Sequence, residues 1–203
     1  SSVVSGGKCN CITTPCSTIV GGLTNTLSGY ACSSNIVGGV SNCVTDSCSS
    51  IVGGCANLVC CLESSIVGGV QNRVTSRNSH IVGGSQNCIT LDCSFIGGGN
   101  NNNVCACSSV ISGGNSNTTR SDCSFIGSGV LNTIGVCAAN TSIIGGTSNV
   151  TCGSQFSFIG GGCCNCICSG SCDKCYSSIV GGQSNKICEA SFANIAGGCA
   201  NSI

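Results

Sequence analysis

The sequence predicts an all-β fold, a parallel β-solenoid of thirteen coils, each of about fifteen residues with two short strands. Three observations predict it. An aliphatic residue recurs at near-constant spacing along the whole chain. A Gly-Gly pair follows it two residues later in almost every repeat. An Asn stands six residues after it in every one. Repetition at a fixed short period is the signature of stacked supersecondary units that bury a common core.

Taking the aliphatic residue as position 0, the repeats are anchored at Val4, Ile19, Ile36, Ile51, Ile66, Ile81, Ile96, Ile111, Ile126, Ile143, Ile159, Ile179 and Ile195. The six steps from Ile36 to Ile126 are all fifteen residues; the others are 15, 17, 17, 16, 20 and 16. The unit reads Ser-x-Ile-Val-Gly-Gly-x-x-Asn-x-Ile, followed by a variable stretch. Two strands are expected, from about −2 to +2 and from about +6 to +9, because fifteen residues do not hold two strands and a helix. A glycine pair in every repeat would break helices of this length, and the aliphatic spacing lacks a 3.6-residue period. Coils spaced by ~4.8 Å make thirteen of them a rod on the order of 60 Å long. The chain reads as a single repetitive domain over residues 1–203 and as a segment of a longer fibre.

Each fixed position has a physical reading. Gly at +3 occurs in all thirteen repeats and Gly at +2 in twelve, with Ser128 the exception. Paired glycines after a short β-branched run suit a tight corner or a close backbone approach. The Asn series is Asn10, Asn25, Asn42, Asn57, Asn72, Asn87, Asn102, Asn117, Asn132, Asn149, Asn165, Asn185 and Asn201. Stacked once per coil, these side chains are expected to form an amide ladder. Position +8 is aliphatic except at Thr119 and Thr151, and position −2 is Ser except at Thr141 and Ala193. A phosphate-cradling glycine loop would need a helix N-terminus after it, so these positions read as structural.

Composition narrows the function classes. Charged residues make up 6% of the chain, against ~25% in ordinary globular proteins. The formal net charge is zero, which gives no electrostatic case for nucleic acid or an anionic membrane. No apolar run approaches the ~18 residues of a membrane span. The 24 cysteines favour an oxidising compartment and an extracellular, cell-surface or virion-surface location.

The first strand is apolar on both faces. Position +1 carries Val20, Val37, Val52, Val67, Val82, Ile144 and Val180, and neighbouring strand residues point to opposite sides. One face fills the coil core. The other forms an apolar stripe of the kind soluble monomers avoid, so the expected partner is a second copy of the chain. The alternative is a monomer held by disulfides and local packing.

The repeat resembles the head repeats of trimeric autotransporter adhesins, with Asn and Ile where those commonly carry Ala and with one extra residue per coil. It is similar also to the Gly-Gly-x-x-Asn-x-Ile repeats of phage-type tail fibres. The resemblance spans the whole chain but rests on short, degenerate motifs. It implies a left-handed parallel β-roll assembled as a homotrimer, and it supplies no receptor and no binding residue.

The cysteines also follow the repeat. Cys-(Ile/Val)-Thr-x-x-Cys occurs three times, pairing Cys11 with Cys16, Cys43 with Cys48, and Cys88 with Cys93 across the variable turn. These are the expected local disulfides. A denser cluster, Cys163, Cys164, Cys166, Cys168, Cys172 and Cys175, lies in the longest repeat. Within it Cys163, Cys166, Cys172 and Cys175 are a weak candidate for a tetrahedral metal site; disulfides are the favoured reading and no cofactor is expected.

No catalytic set is readable. The six acids (Asp46, Glu63, Asp92, Asp122, Asp173 and Glu189) are spread through the variable corners, not paired as glycoside hydrolysis requires. His80, the single histidine, has no partner acid and serine placed to form a triad. Of the three sequons, at Asn117, Asn140 and Asn149, the first and last fall on the Asn ladder. The expected function is therefore a disulfide-stabilised, self-assembling structural subunit of a surface fibre. An adhesin or receptor-binding head is the alternative, with a metal-binding or an ice-binding protein further off. Both termini lie inside the repeat, and uncapped coils recruit other strands, which adds end-to-end assembly to the expectation.

Overall fold

In the solenoid, the fifteen-residue coils repeat one path, fixed by a few backbone choices. The structure is a computed structural model that describes residues 1–203, apart from the side chain of Lys174. It contains strands, turns and bridges and, among the described residues, no helix. Two compact units, Ser1–Asn101 and Asn102–Ile203, are distinguished, although the sequence reads as one repetitive domain and the same motif runs on both sides of the division.

In the first unit the position-0 strands, from Val3–Val4 to Phe95–Ile96, stack in parallel, each pairing with the strand one coil on. The +8 strands, from Cys11–Ile12 to Cys88–Ile89, form a second parallel sheet. The second unit repeats both sheets from Val110–Ile111 to Asn194–Ile195 and from Asn103–Val104 to Lys186–Cys188. Register is strict: Ile36 lies beside Ile51 and Val44 beside Val59. A third pairing, unforeseen in the sequence, runs along position +4 as single bridges such as Val40 to Cys55.

The strands are shorter than expected, mostly two residues each. The reason is left-handed backbone on either side of them. Gly at +3 has positive φ, 90° at Gly54. Two non-glycine positions do as well: +5, with Ser41 at 55°, and −3, with Cys48 at 54°. Such a residue turns its own N–H backwards. Most coil amides donate to the following coil, as Val40 N does to Gly54 O at 2.9 Å, whereas Ser41 N donates to Leu23 O of the preceding coil at 2.9 Å. Each coil is thereby stitched to both neighbours. The left-handed conformation of an L-residue costs roughly 1–2 kcal/mol, which these backward bonds offset.

The core is narrow and half polar. Position-0 and +8 side chains such as Ile51, Val59, Ile66 and Val74 are wholly buried. Beside them run two buried polar ladders. In the first, Asn57 N donates to Asn42 Oδ1 at 3.0 Å, while Asn57 Nδ2 donates to Gly53 O at 3.1 Å and Gly69 O at 2.9 Å. The same set recurs in the second unit, for example at Asn117. In the second ladder, Ser49 N donates to Ser34 Oγ at 3.1 Å, and Ser49 Oγ donates to Cys61 O at 2.7 Å. Buried amides and hydroxyls are tolerated because they are bonded.

Candidate functional site

The two glycines of the pair have different reasons to exist. At +3, a methyl group on Gly54 would overlap Gly69 O and lie 2.6 Å from Asn57 Nδ2. At +2, Gly53 has nothing within 4 Å of where a methyl would go, and Gly21, Gly38, Gly68 and Gly83 are the same. None of these +2 glycines has positive φ. The expectation that both glycines serve the corner therefore holds for one of them only. The chain's own fold leaves room for a side chain at +2.

The +1 side chains beside those glycines point outward. Val20, Val37, Val52, Val67 and Val82 are 45–49% exposed in the first unit. Ile144 and Val180 are exposed in the second. Position +4, which sequence reading passed over, adds exposed Leu23, Val40 and Val70 to the same corner. From residue 20 to residue 86 the segments spanning +1 to +5 contain no charged residue. The result is an uncharged face of valines and bare glycine backbone.

Three of the carboxylates clamp turns. Asp92 Oδ1 accepts from Arg77 N and Asp122 Oδ1 from Cys107 N, both at 2.8 Å and both one coil back. Glu189 takes Gly170 N through Oε1 and Ser169 Oγ through Oε2. His80 Nδ1 lies 2.8 Å from Ser65 Oγ on the exposed side of the strand. Asn117 and Asn149, the sequons on the ladder, are fully buried, whereas Asn140 is exposed. No enclosed pocket occurs among the described residues, and no helix there is long and apolar enough to cross a membrane.

The thiols are arranged differently from the sequence reading. Among the described residues one disulfide is present, Cys137–Cys172, with Cα atoms 5.2 Å apart. Among the described residues no disulfide joins Cys11 to Cys16, Cys43 to Cys48 or Cys88 to Cys93, the three expected local pairs. Their +7 members lie on strands, whereas Cys16, Cys48 and Cys93 sit at the exposed left-handed −3 corner. The four candidate metal ligands are not brought together. Cys172 is bonded to Cys137, Cys163 Sγ lies 3.1 Å from Cys164 Sγ, and Cys166 Sγ lies 2.9 Å from Cys168 Sγ. Among the described residues no group of three or more His, Cys, Asp or Glu is placed to hold a metal ion.

A different cluster emerges in the second unit. Position +9 is cysteine in three successive coils, and the register sets Cys152 beside Cys168 and Cys168 beside Cys188. Cys152 Sγ donates to Cys168 Sγ at 2.8 Å. Burial, followed by that hydrogen bond, pushes the Cys152 thiol up to about 12. The hydrogen bond to Cys166, then burial, holds Cys168 far above the ordinary thiol value. Cys166 moves the other way, lowered by its hydrogen bond with Cys168 and, to a lesser degree, by Lys186. A second feature that sequence reading missed is a stack of exposed rings at −3. Phe156 and Tyr176 have centroids 5.0 Å apart, and Tyr176 and Phe192 5.3 Å.

No model of a known protein family and no curated protein matches the chain.

Proposed function

We propose that the chain is a self-assembling structural subunit of an extracellular or virion-surface fibre, packed side by side with further copies of itself. The observation that carries this reading is the glycine at +2. It recurs where the chain's own fold has room for a side chain, and it lies beside an exposed, uncharged valine stripe. A backbone kept bare on an open face is what close approach by another surface requires. A face without charge meets its own copy with no like-charge repulsion. The resemblance of the repeat to trimeric adhesin heads and tail fibres favours three copies, and the cysteine content favours an oxidising location.

The test is light scattering and negative-stain microscopy of the full chain at micromolar concentration. Particles at a multiple of 19.8 kDa are expected. The variant Val52→Lys/Val67→Lys, altered only at exposed side chains, is expected to give monomers with an unchanged β circular dichroism spectrum. A wild-type chain that stays monomeric would sink the reading. One observation favours a receptor-binding head as a second reading, the exposed Phe156–Tyr176–Phe192 stack. In that case discrete particles bind cells and Tyr176→Ser weakens the binding.

A further inference from the structure

Four thiols in the second unit share one patch, and their geometry restricts what they can do. Cys152, Cys168 and Cys188 are in-register neighbours on successive strands. In-register parallel residues stand ~4.8 Å apart, inside the range of Cα separations that a disulfide spans. Cys166 is two residues from Cys168 on the same strand, and its in-register neighbours are Val150 and Lys186. Its Cα therefore lies about 8 Å from those of Cys152 and Cys188, two residues along and one coil across, beyond disulfide reach. Among the four, its one available partner is Cys168, whose sulfur is 2.9 Å away. Cys152 and Cys188 are separated by a whole coil, ~9.6 Å, and are likewise out of reach of each other. Every bridge these four can form includes Cys168.

We propose that Cys168 is the shared member of a movable disulfide, at a site that reacts with small-molecule disulfides of the glutathione type. The spacing of the sulfurs supports this over a metal site. Thiolates around one tetrahedral zinc lie about 3.8 Å apart, given a Zn–S distance of ~2.3 Å, whereas Cys168 Sγ is 2.8 Å and 2.9 Å from its neighbours.

Cys166 releases its proton to solvent, and the thiolate attacks the external disulfide. A mixed disulfide forms on Cys166 and one external thiolate leaves. Cys168, losing its proton, attacks Cys166 Sγ, forms the Cys166–Cys168 bond and expels the second external thiolate. Cys152 or Cys188 then attacks Cys168 Sγ, giving its proton up as Cys166 leaves as thiolate and regains one. The net change is two protein thiols oxidised and one external disulfide reduced to two thiols. The resulting bridge ties adjacent coils together, and two of the four thiols stay free to move it. Cys166 is suited to begin because its pKa is lowered where those of Cys152 and Cys168 are raised.

The site rests on the geometry of the second unit alone, so the fibre reading can fail without it. The full chain is reduced, equilibrated with oxidised and reduced glutathione at about pH 8, quenched in acid, alkylated and mapped by mass spectrometry. The expected map has one bridge among the four, always containing Cys168, with at least two different partners populated and two of the four alkylated. In Cys188→Ser the bridges to Cys152 and Cys166 remain. In Cys168→Ser the other three are all alkylated, and circular dichroism checks that this variant is folded; if it is not, the wild-type and Cys188→Ser maps still decide. A bridge lacking Cys168, two bridges among the four, a single fixed partner, four alkylated thiols, or protection of all four by one equivalent of zinc overturns the proposal.

Discussion

Position +8 shows how much a single atom decides in a core this narrow. Eleven repeats place an aliphatic side chain there, and two place Thr119 and Thr151. Both threonines are fully buried, between aliphatic neighbours such as Val104 and Ile134, and neither hydroxyl finds a partner. The methyl group fills the same space that Val would fill, but the hydroxyl loses its water and receives nothing in return. A buried, unbonded hydroxyl costs ~1–3 kcal/mol. Thr119→Val is therefore expected to stabilise the chain by about 1–2 kcal/mol and to raise the thermal midpoint by a few degrees. A neutral or negative shift on thermal denaturation would mean that the hydroxyl is bonded. Asn57 is the opposite case: its side-chain Nδ2 donates to Gly53 O and Gly69 O and its Oδ1 accepts from Asn72 N, so polarity at +6 is retained without penalty.

Within the coil, the elements divide into those that announce themselves in sequence and those that do not. The Ile, Gly, Asn and Ser positions were legible because one residue type recurs at each, and the structure places the Asn side chains in the ladder their spacing implied; that the Ser hydroxyls form a second ladder was not legible. The left-handed corners at +5 and −3 were not legible. They are occupied by residues as unlike as Thr24, Ala56, Leu131, Glu63 and Tyr176, because the backward hydrogen bond, and not the side chain, supports the conformation. Thiol partners were illegible for another reason. The expected pairs lie within one turn, whereas Cys152 and Cys168 meet across coils, where register and not sequence separation sets the distance. The disulfide Cys137–Cys172 joins corners of irregular repeats, 35 residues apart, and closing a loop of that length is worth about 4 kcal/mol in chain entropy. The strand Cys166–Cys168 gives a test by pH. Cys166 is lowered and Cys152 is raised to about 12, and the thiolate is the reacting form. As pH rises, alkylation of reduced Cys166 is expected before that of Cys152. Equal labelling of the two across pH 7–9, read by quantitative peptide mapping, would refute the opposed environments.

At the scale of the whole molecule, the glycine pair separates what the coil needs from what its surroundings need. Gly54→Ala puts a methyl group into Gly69 O in a backbone conformation with φ of 90°. Neither the stacked coil nor the Asn57 amide has space to yield, so a loss of several kcal/mol is expected, read as a large drop in the thermal midpoint. Gly53→Ala, one residue away, meets open space and no left-handed strain. By restricting the unfolded chain it is expected to leave the isolated chain as stable as before, or more so by ~0.4–1 kcal/mol. If the bare backbone at +2 serves packing against another copy, Gly53→Ala combined with Gly68→Ala inserts methyl groups into that contact in successive coils. The double variant is then expected to fold normally and to fall apart into monomers at concentrations where the wild type is assembled, as measured by sedimentation velocity. Assembly that survives both substitutions would place the contact on another face of the solenoid, and the glycine at +2 would have no part in it.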